Sequence, residues 1–170
     1  LEKNPNYICL GQFDNEDNPR AHYETTGPEI LKEVKDVSFI VAGIGSGGTI
    51  VGAGKFLKEK NKEIKVIGIE PKSSPLITEN KSGPHKIQGI GANFIPKIYD
   101  KDIVDKVITV SDEDSYETVR LIANKLGILI GISSGANISG AMKLSDENPD
   151  KIIVTVAPDG VDKYMSMGIF

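Results

Sequence analysis

Short apolar runs alternate with stretches of helical period along the chain. Val37-Ser38-Phe39-Ile40-Val41-Ala42, Val66-Ile67-Gly68-Ile69, Val107-Ile108-Thr109-Val110, Ile128-Leu129-Ile130-Gly131-Ile132 and Ile152-Ile153-Val154-Thr155-Val156 read as strands. They are rich in Ile and Val and lack strict polar alternation, the pattern of strands covered on both faces of a parallel sheet. After Gly48, residues Ile50, Ala53, Gly54 and Leu57 line one face of a helix, with Lys55, Lys58, Glu59 and Lys60 turned to solvent. Ser111 followed by Asp114 marks a helix start. Tyr116, Val119, Ile122, Ala123 and Leu126 then recur at helical spacing, and Gly127 closes the helix. Residues 136–144 predict a third helix with Ile138, Ala141 and Met142 inward. Asn18-Pro19 reads as a helix start with Asn as cap, and Gly27-Pro28 as a break and restart. This alternation predicts an α/β fold: one domain over residues 1–170, a largely parallel sheet with helices on both faces. Residues 71–100 show no sustained period, and loops of that length in compact domains usually serve function.

Composition narrows the chemistry. Twenty basic residues against 24 acidic leave a net charge of -4, which gives no support to nucleic-acid or anionic-membrane binding. The lone Cys9 excludes an intrachain disulfide framework and a Cys-built metal cage. It fits a reducing, cytoplasmic compartment, and its apolar neighbours predict a small buried hydrophobe. His22 and His85 lie far apart, so no metal site is expected. No apolar run reaches the roughly 18 residues of a membrane span. The opening Leu1-Glu2-Lys3-Asn4-Pro5 has the form of neither a signal nor a transit peptide, and without an initiator Met the chain reads as a piece of something longer.

The most informative stretch is Ala42-Gly43-Ile44-Gly45-Ser46-Gly47-Gly48-Thr49, between a strand and a helix. Glycines there bring backbone N–H groups and the positive helix end to one point, where a phosphate is the natural occupant. The alternative is a tight turn whose glycines serve only the backbone. Gly43, Gly45 and Gly48 also satisfy the dinucleotide pattern, and Glu70 ends the next strand where such folds place a ribose-binding acid. On that motif alone an NAD-dependent oxidoreductase domain stands as an alternative. A P-loop does not, because no Lys precedes Thr49. Gly131-Ile132-Ser133-Ser134-Gly135-Ala136 forms a second strand-to-helix switch, whose hydroxyls either cap the helix or face a ligand in the crevice.

Four blocks in register carry a resemblance over nearly the whole chain. They are Gln12-Phe13-Asp14-Asn15 with Asn18-Pro19, His22 and Thr25-Thr26-Gly27-Pro28-Glu29; Gly45-Ser46-Gly47-Gly48-Thr49; His85-Lys86-Ile87-Gln88-Gly89-Ile90-Gly91-Ala92 with Phe94-Ile95-Pro96; and the Ser133 block. The chain resembles the larger, C-terminal half of the cysteine synthase (O-acetylserine sulfhydrylase) and cystathionine β-synthase family, fold type II pyridoxal-phosphate enzymes of tryptophan-synthase-β-like fold. The resemblance implies that Gly45, Ser46, Gly47, Gly48 and Thr49 hold the phosphate of pyridoxal 5'-phosphate, with Ser46 where members commonly have Thr. It implies that Ser133 hydrogen-bonds the pyridine nitrogen. A neutral hydroxyl there leaves the ring a weaker electron sink, which favours loss of a β-substituent, through an aminoacrylate, over transamination. Gln12 is implied near the substrate carboxylate, and Gly89 in the mobile loop lining the amino-acid pocket. His22 and His85 read as packing or hydrogen-bonding residues.

The implied activity is β-replacement on a three-carbon amino acid, with cysteine synthesis from O-acetylserine and sulfide as the leading reaction. Cystathionine β-synthase-like or sulfide-releasing cysteine lyase activity is the runner-up, and a non-catalytic regulatory or scaffold subunit a further class. The Schiff-base lysine of the family belongs to an N-terminal half that this sequence lacks, so no catalytic residue is assigned here, and the 170 residues alone are expected to be inactive. The implied partners are that missing half, an amino-acid substrate and a second copy in a homodimer. Two departures blur the substrate: Asn93 stands where cysteine synthases usually have Gly, and Ala157-Pro158-Asp159-Gly160 through Tyr164-Met165-Ser166 leans toward the cystathionine β-synthase branch. A polar Asn93 would suit the orientation of water or a hydroxyl leaving group.

Overall fold

The computed structural model describes residues 6–169; the opening Leu1–Pro5 sequence lies outside them. The helices α1 (Asp17–Glu24) and α2 (Thr26–Glu33) lead into β1 (Val37–Gly43), α3 (Gly48–Lys60) and β2 (Lys65–Pro71). A short α4 (Leu76–Glu79) and a long irregular stretch follow. Then come β3 (Lys106–Val110), α5 (Asp112–Leu126), α6 (Ile132–Glu147), β4 (Ile152–Thr155) and a 3-10 turn over Val161–Met167.

The four strands form one parallel sheet in the order β3-β2-β1-β4. Period-2 alternation in β1 splits its side chains between two cores. Ile40 and Ala42 point to the α3 side, with Ile50, Ala53, Leu57 and Val66. Val41 points to the other side, with Ile67, Ile69, Val119, Ile132 and Ala136. Ile50 and Leu57 are completely buried, each contributing about 1.5–3 kcal/mol from its removal from water. Helices therefore cover both faces, as the strand composition predicts.

The helix signals around α5 are realised. The Ser111 hydroxyl accepts from the Asp114 N–H at 3.0 Å, and Gly127 follows the last turn at φ 69°. Four expectations are corrected. Residues 128–132 make no strand: Ile130 forms a lone antiparallel bridge to Gly160, Ile128 and Leu129 are exposed, and Ile132 opens α6. The short run joins two packed helices, and periodicity alone does not separate that from a strand. The third helix begins at Ile132, four residues earlier than expected, and Met142 is exposed while Ser139, Gly140 and Leu144 face inward. Lys58 is not in open solvent, because it pairs with Asp105 at 2.8 Å and donates to the Ile103 carbonyl. Cys9 is exposed, as are Tyr7, Ile8 and Leu10 beside it, since no element among the described residues covers that stretch.

The first two helices also differ in detail. Helix α1 starts after Glu16, leaving Asn18 inside it, and the break before α2 falls at Thr25. Gly27 lies in the first turn of α2, where a Cβ would meet the Phe56 ring at 2.9 Å.

Candidate active site

The chain leaves β1 toward β2 on one side, while β4 joins β1 on the other. In open parallel sheets such a switch point opens a crevice beyond the carboxyl ends of the strands, and ligands bind there. Here it holds a cleft of about 130 Å³. One wall is the turn from Gly43 to Thr49; facing it are Gly89 and Ile90 from the long loop, Ser133 and Asn137 from α6, and Val156 and Pro158 after β4. A larger groove of about 990 Å³ lies between α1, α3 and residues 95–102. It is walled by surface charges such as Arg20, Lys55 and Lys101.

Two glycines of the turn have demonstrable reasons. Gly47 precedes α3 at φ 91°, a left-handed conformation that side chains resist. Gly45 lies against the Gly89 carbonyl, with which a Cβ would collide, so the turn and the long loop meet backbone to backbone. The turn opens a 13-residue helix, whose first peptide N–H groups lack intrahelical acceptors, an anion-binding arrangement. The hydroxyls of Ser46 and Thr49 line the same space.

Ser133 sits across the cleft in the first turn of α6. It is 5% exposed, and its hydroxyl makes no hydrogen bond among the described residues. Neither serine caps α6: Gly131 is the N-cap without a side-chain bond, and Ser134 donates to the Asp159 carbonyl at 3.2 Å. Ser115 ties α5 to the first turn of α6, its hydroxyl donating to the Ile132 carbonyl at 2.6 Å. Ser133 therefore keeps its hydroxyl for the cleft.

The long loop is built around three left-handed residues, Gly89 at φ 93°, Gly91 at φ 68° and Asn93 at φ 56°. His85 ties it down through Nε2 to the Gly91 carbonyl at 3.0 Å, the structural role expected of it. Of the residues implied on the substrate side, only Gly89 lines the cleft. Asn93 accepts from the Ser74 hydroxyl at 3.2 Å in an adjoining notch of about 20 Å³, which shares Gly45 with the cleft. Gln12 is exposed, and its carbonyl accepts from Asn18 Nδ2 at 2.8 Å.

Glu70 is corrected as a ribose-binding acid. It is 3% exposed and caps α4, accepting from the Ile77 and Thr78 N–H groups at 2.8 and 3.1 Å and from the Thr78 hydroxyl. With both oxygens committed, the dinucleotide reading loses its acid.

Two residues that touch the site escape the motif reading. Asn18 lies inside α1, with its amide on Ser46 Oγ at 2.9 Å, although its Asn-Pro setting resembles a cap. Asn137 follows Ser133 by one helical turn, is 1% exposed and donates to the Val156 carbonyl at 2.9 Å. The i, i+4 spacing from Ser133 is the only signal that marks it in the sequence.

A phosphorylated heteroaromatic aldehyde fits these residues. The glycine turn supplies donors for its phosphate, and an unspent neutral hydroxyl stands opposite. No lysine lines the cleft among the described residues.

Fold and cleft together define an α/β domain with a glycine-turn cleft at a parallel-sheet switch point. The chain belongs to the family described as pyridoxal-phosphate dependent enzyme, whose model matches residues 1–159. It is 46% identical over 171 residues to cysteine synthase B of Campylobacter jejuni, covering 100% of this chain and 57% of that protein. Among solved structures it matches a cysteine synthase of Entamoeba histolytica with a TM-score of 0.94 at 38% identity, covering 99% of this chain and 51% of that one. It also matches a hydrogen sulfide-producing enzyme of Fusobacterium nucleatum with a TM-score of 0.92 at 41% identity, covering 96% and 56%. The chain spans about half the length of the curated relatives it matches. Among the described residues no helix is long and apolar enough to cross a membrane.

Proposed function

We propose that the complete protein is a cytoplasmic, homodimeric cysteine synthase that replaces the acetate of O-acetylserine with sulfide. The observation that carries this reading is the convergence of the Gly45–Thr49 turn and the free Ser133 hydroxyl on one cleft. The relatives on both sides of the comparison, named for cysteine synthesis and sulfide production, support it.

In this reading Gly45, Ser46, Gly47, Gly48 and Thr49 hold the phosphate, and Ser133 meets the pyridine nitrogen. The bound cofactor supplies an electron sink to the α-carbon of the amino acid. Ser133 orients the ring without acting as a carboxylate partner would, so it does not hold a proton on the nitrogen by charge. Gly89 gives the long loop room to approach the substrate, and Gln12 contributes on the carboxylate side. The Schiff-base lysine is supplied by the half of the protein absent from this chain, and the 170 residues alone are inactive. In the net reaction the β-carbon–oxygen bond breaks, acetate leaves, and a carbon–sulfur bond forms.

A sulfide-releasing or cystathionine β-synthase-like activity is the second reading. Asn93 favours it, because its amide beside Ser74 places a polar group next to the cleft where a glycine would leave none. The test uses the full-length protein, with turnover of O-acetylserine plus sulfide, of cysteine alone and of serine plus a thiol measured in parallel. Cysteine formation from O-acetylserine should be the fastest and should require added or retained pyridoxal 5'-phosphate. Faster sulfide release from cysteine would establish the second reading, and a response to NADH instead of pyridoxal 5'-phosphate would overturn both. Asn93→Gly should shift the ratio of the three rates; an unchanged ratio removes Asn93 from substrate choice.

A further inference from the structure

The phosphate turn is backed by a second element. Asn18 and His22 stand one turn apart on α1 and share the face packed on α3. Helix α3 admits them because it offers glycine at both contacts. A Cβ on Gly48 would collide with the Asn18 amide, and one on Gly52 would collide with the Pro19 carbonyl and lie 2.9 Å from His22 Cβ.

The hydrogen bonds at Ser46 run in one direction. Asn18 Nδ2 donates to Ser46 Oγ at 2.9 Å, and the Gly48 N–H approaches the same oxygen at 3.4 Å. Ser46 thus accepts twice, and no acceptor among the described residues takes its proton. The remaining direction is the cleft, which Ser46 lines. His22 contacts Thr49, with the direction set by its tautomer: Nε2 lies 3.1 Å from Thr49 Oγ1, and Nδ1 lies 2.9 Å from Thr26 Oγ1. Burial pushes His22 below the usual histidine range, so the ring is neutral at pH 7, with one donor and one acceptor. A phosphate dianion has no proton to give, so Thr49 must donate to it. Its oxygen then accepts from Nε2–H, and Thr26 donates to Nδ1.

We propose that Asn18 and His22 are positioning residues that turn the Ser46 and Thr49 hydroxyls into fixed donors toward a phosphate in the cleft. The inference rests on the phosphate reading above and deepens it: α1 selects a phosphorylated ligand over its unphosphorylated counterpart. Hydrogen bonds to a charged acceptor are the strong ones, so pre-aiming two of them matters to affinity.

The test compares pyridoxal 5'-phosphate with pyridoxal, each by equilibrium binding to the full-length protein. Asn18→Asp keeps the shape but replaces the donor with an acceptor that draws the Ser46 proton away from the cleft. Affinity for pyridoxal 5'-phosphate, and for inorganic phosphate alone, should fall about tenfold or more, with pyridoxal affinity unchanged. His22→Leu should act likewise, and His22→Gln, which restores a donor toward Thr49, should recover part of the loss. Nitrogen-15 NMR of wild-type His22 with inorganic phosphate bound should show the Nε2–H tautomer, a readout that needs no variant to fold. The Nδ1–H tautomer, or equal losses for pyridoxal and its phosphate, would overturn the proposal. A wild type that does not prefer the phosphorylated ligand would remove the phosphate reading as well. A wild-type preference that survives in Asn18→Asp and His22→Leu would overturn the positioning role alone.

Discussion

Replacing Glu70 with alanine tests the reassignment of that carboxylate from ligand contact to helix cap. Glu70, the penultimate residue of β2, is 3% exposed and accepts three hydrogen bonds, from the Ile77 N–H at 2.8 Å, the Thr78 N–H at 3.1 Å and the Thr78 hydroxyl. Alanine leaves all three donors without their acceptor. The notch beside them, of about 20 Å³, has room for about one water, which re-satisfies only part of the set. Each buried donor left unpaired costs about 1–3 kcal/mol. The three bonds are part-buried and Thr78 is exposed, so water re-satisfies its donors and the expected loss is that of a single buried donor, about 1–3 kcal/mol. That is a large share of the roughly 5–15 kcal/mol that holds a domain together. Glu70→Gln keeps one acceptor oxygen and should lose about half as much. Urea unfolding of the full-length protein, followed by far-ultraviolet circular dichroism, reads both variants as a shift in midpoint at constant slope. A Glu70→Ala midpoint equivalent to less than about 0.5 kcal/mol of destabilisation would refute the reasoning, because such small effects belong to exposed positions without structural duties.

Two further perturbations address the cleft and the C-terminal turn. Gly45→Ala puts a methyl group onto the Gly89 carbonyl, so the turn and the long loop must separate. Phosphate and pyridoxal 5'-phosphate affinity should fall at least tenfold with a stability loss of about 1–3 kcal/mol, measured by equilibrium binding and urea unfolding; retained affinity would show that the backbone contact does not shape the site. Tyr164 is pushed up to about 12 by burial and by its 2.7 Å bond to Asp159. The folded state therefore holds the phenol proton more tightly than the unfolded chain, whose tyrosine titrates near 10. The stabilisation is complete below about pH 10 and lost as the pH rises toward about 12, a decline of order 2 kcal/mol. Unfolding midpoints compared between wild type and Tyr164→Phe across that window should converge at high pH, and parallel curves would remove Tyr164 as the source.

The legible parts of the molecule are those written in contiguous residues. Strands β1 to β4 show as Ile- and Val-rich runs because burial on both faces selects those residue types whatever the neighbouring strand. The Ser111 cap and the Gly127 terminus of α5 show because a cap bonds within its own turn. The glycine turn before α3 shows because both its conformation and its chemistry are local. The run at 128–132 misleads for the complementary reason. Its apolar composition resembles that of a buried strand, yet Ile128 and Leu129 are exposed, and among the described residues its only pairing is the Ile130–Gly160 bridge.

The sequence by itself determined the α/β class, the glycine turn before α3 and the presence of a second polar switch around Ser133. Those follow from hydrophobic period, glycine placement and capping chemistry, which act over a few residues. Tertiary structure decided which polar groups serve the cleft. It turned Asn18 from a cap into the support of Ser46, 28 positions away, and brought His22 to Thr49, 27 positions away. It spent Glu70 on α4 and left Ser133 unspent. A hydrogen bond is short and directional, so its partner is fixed by how helices and loops cross in space, and residue type alone does not carry that information.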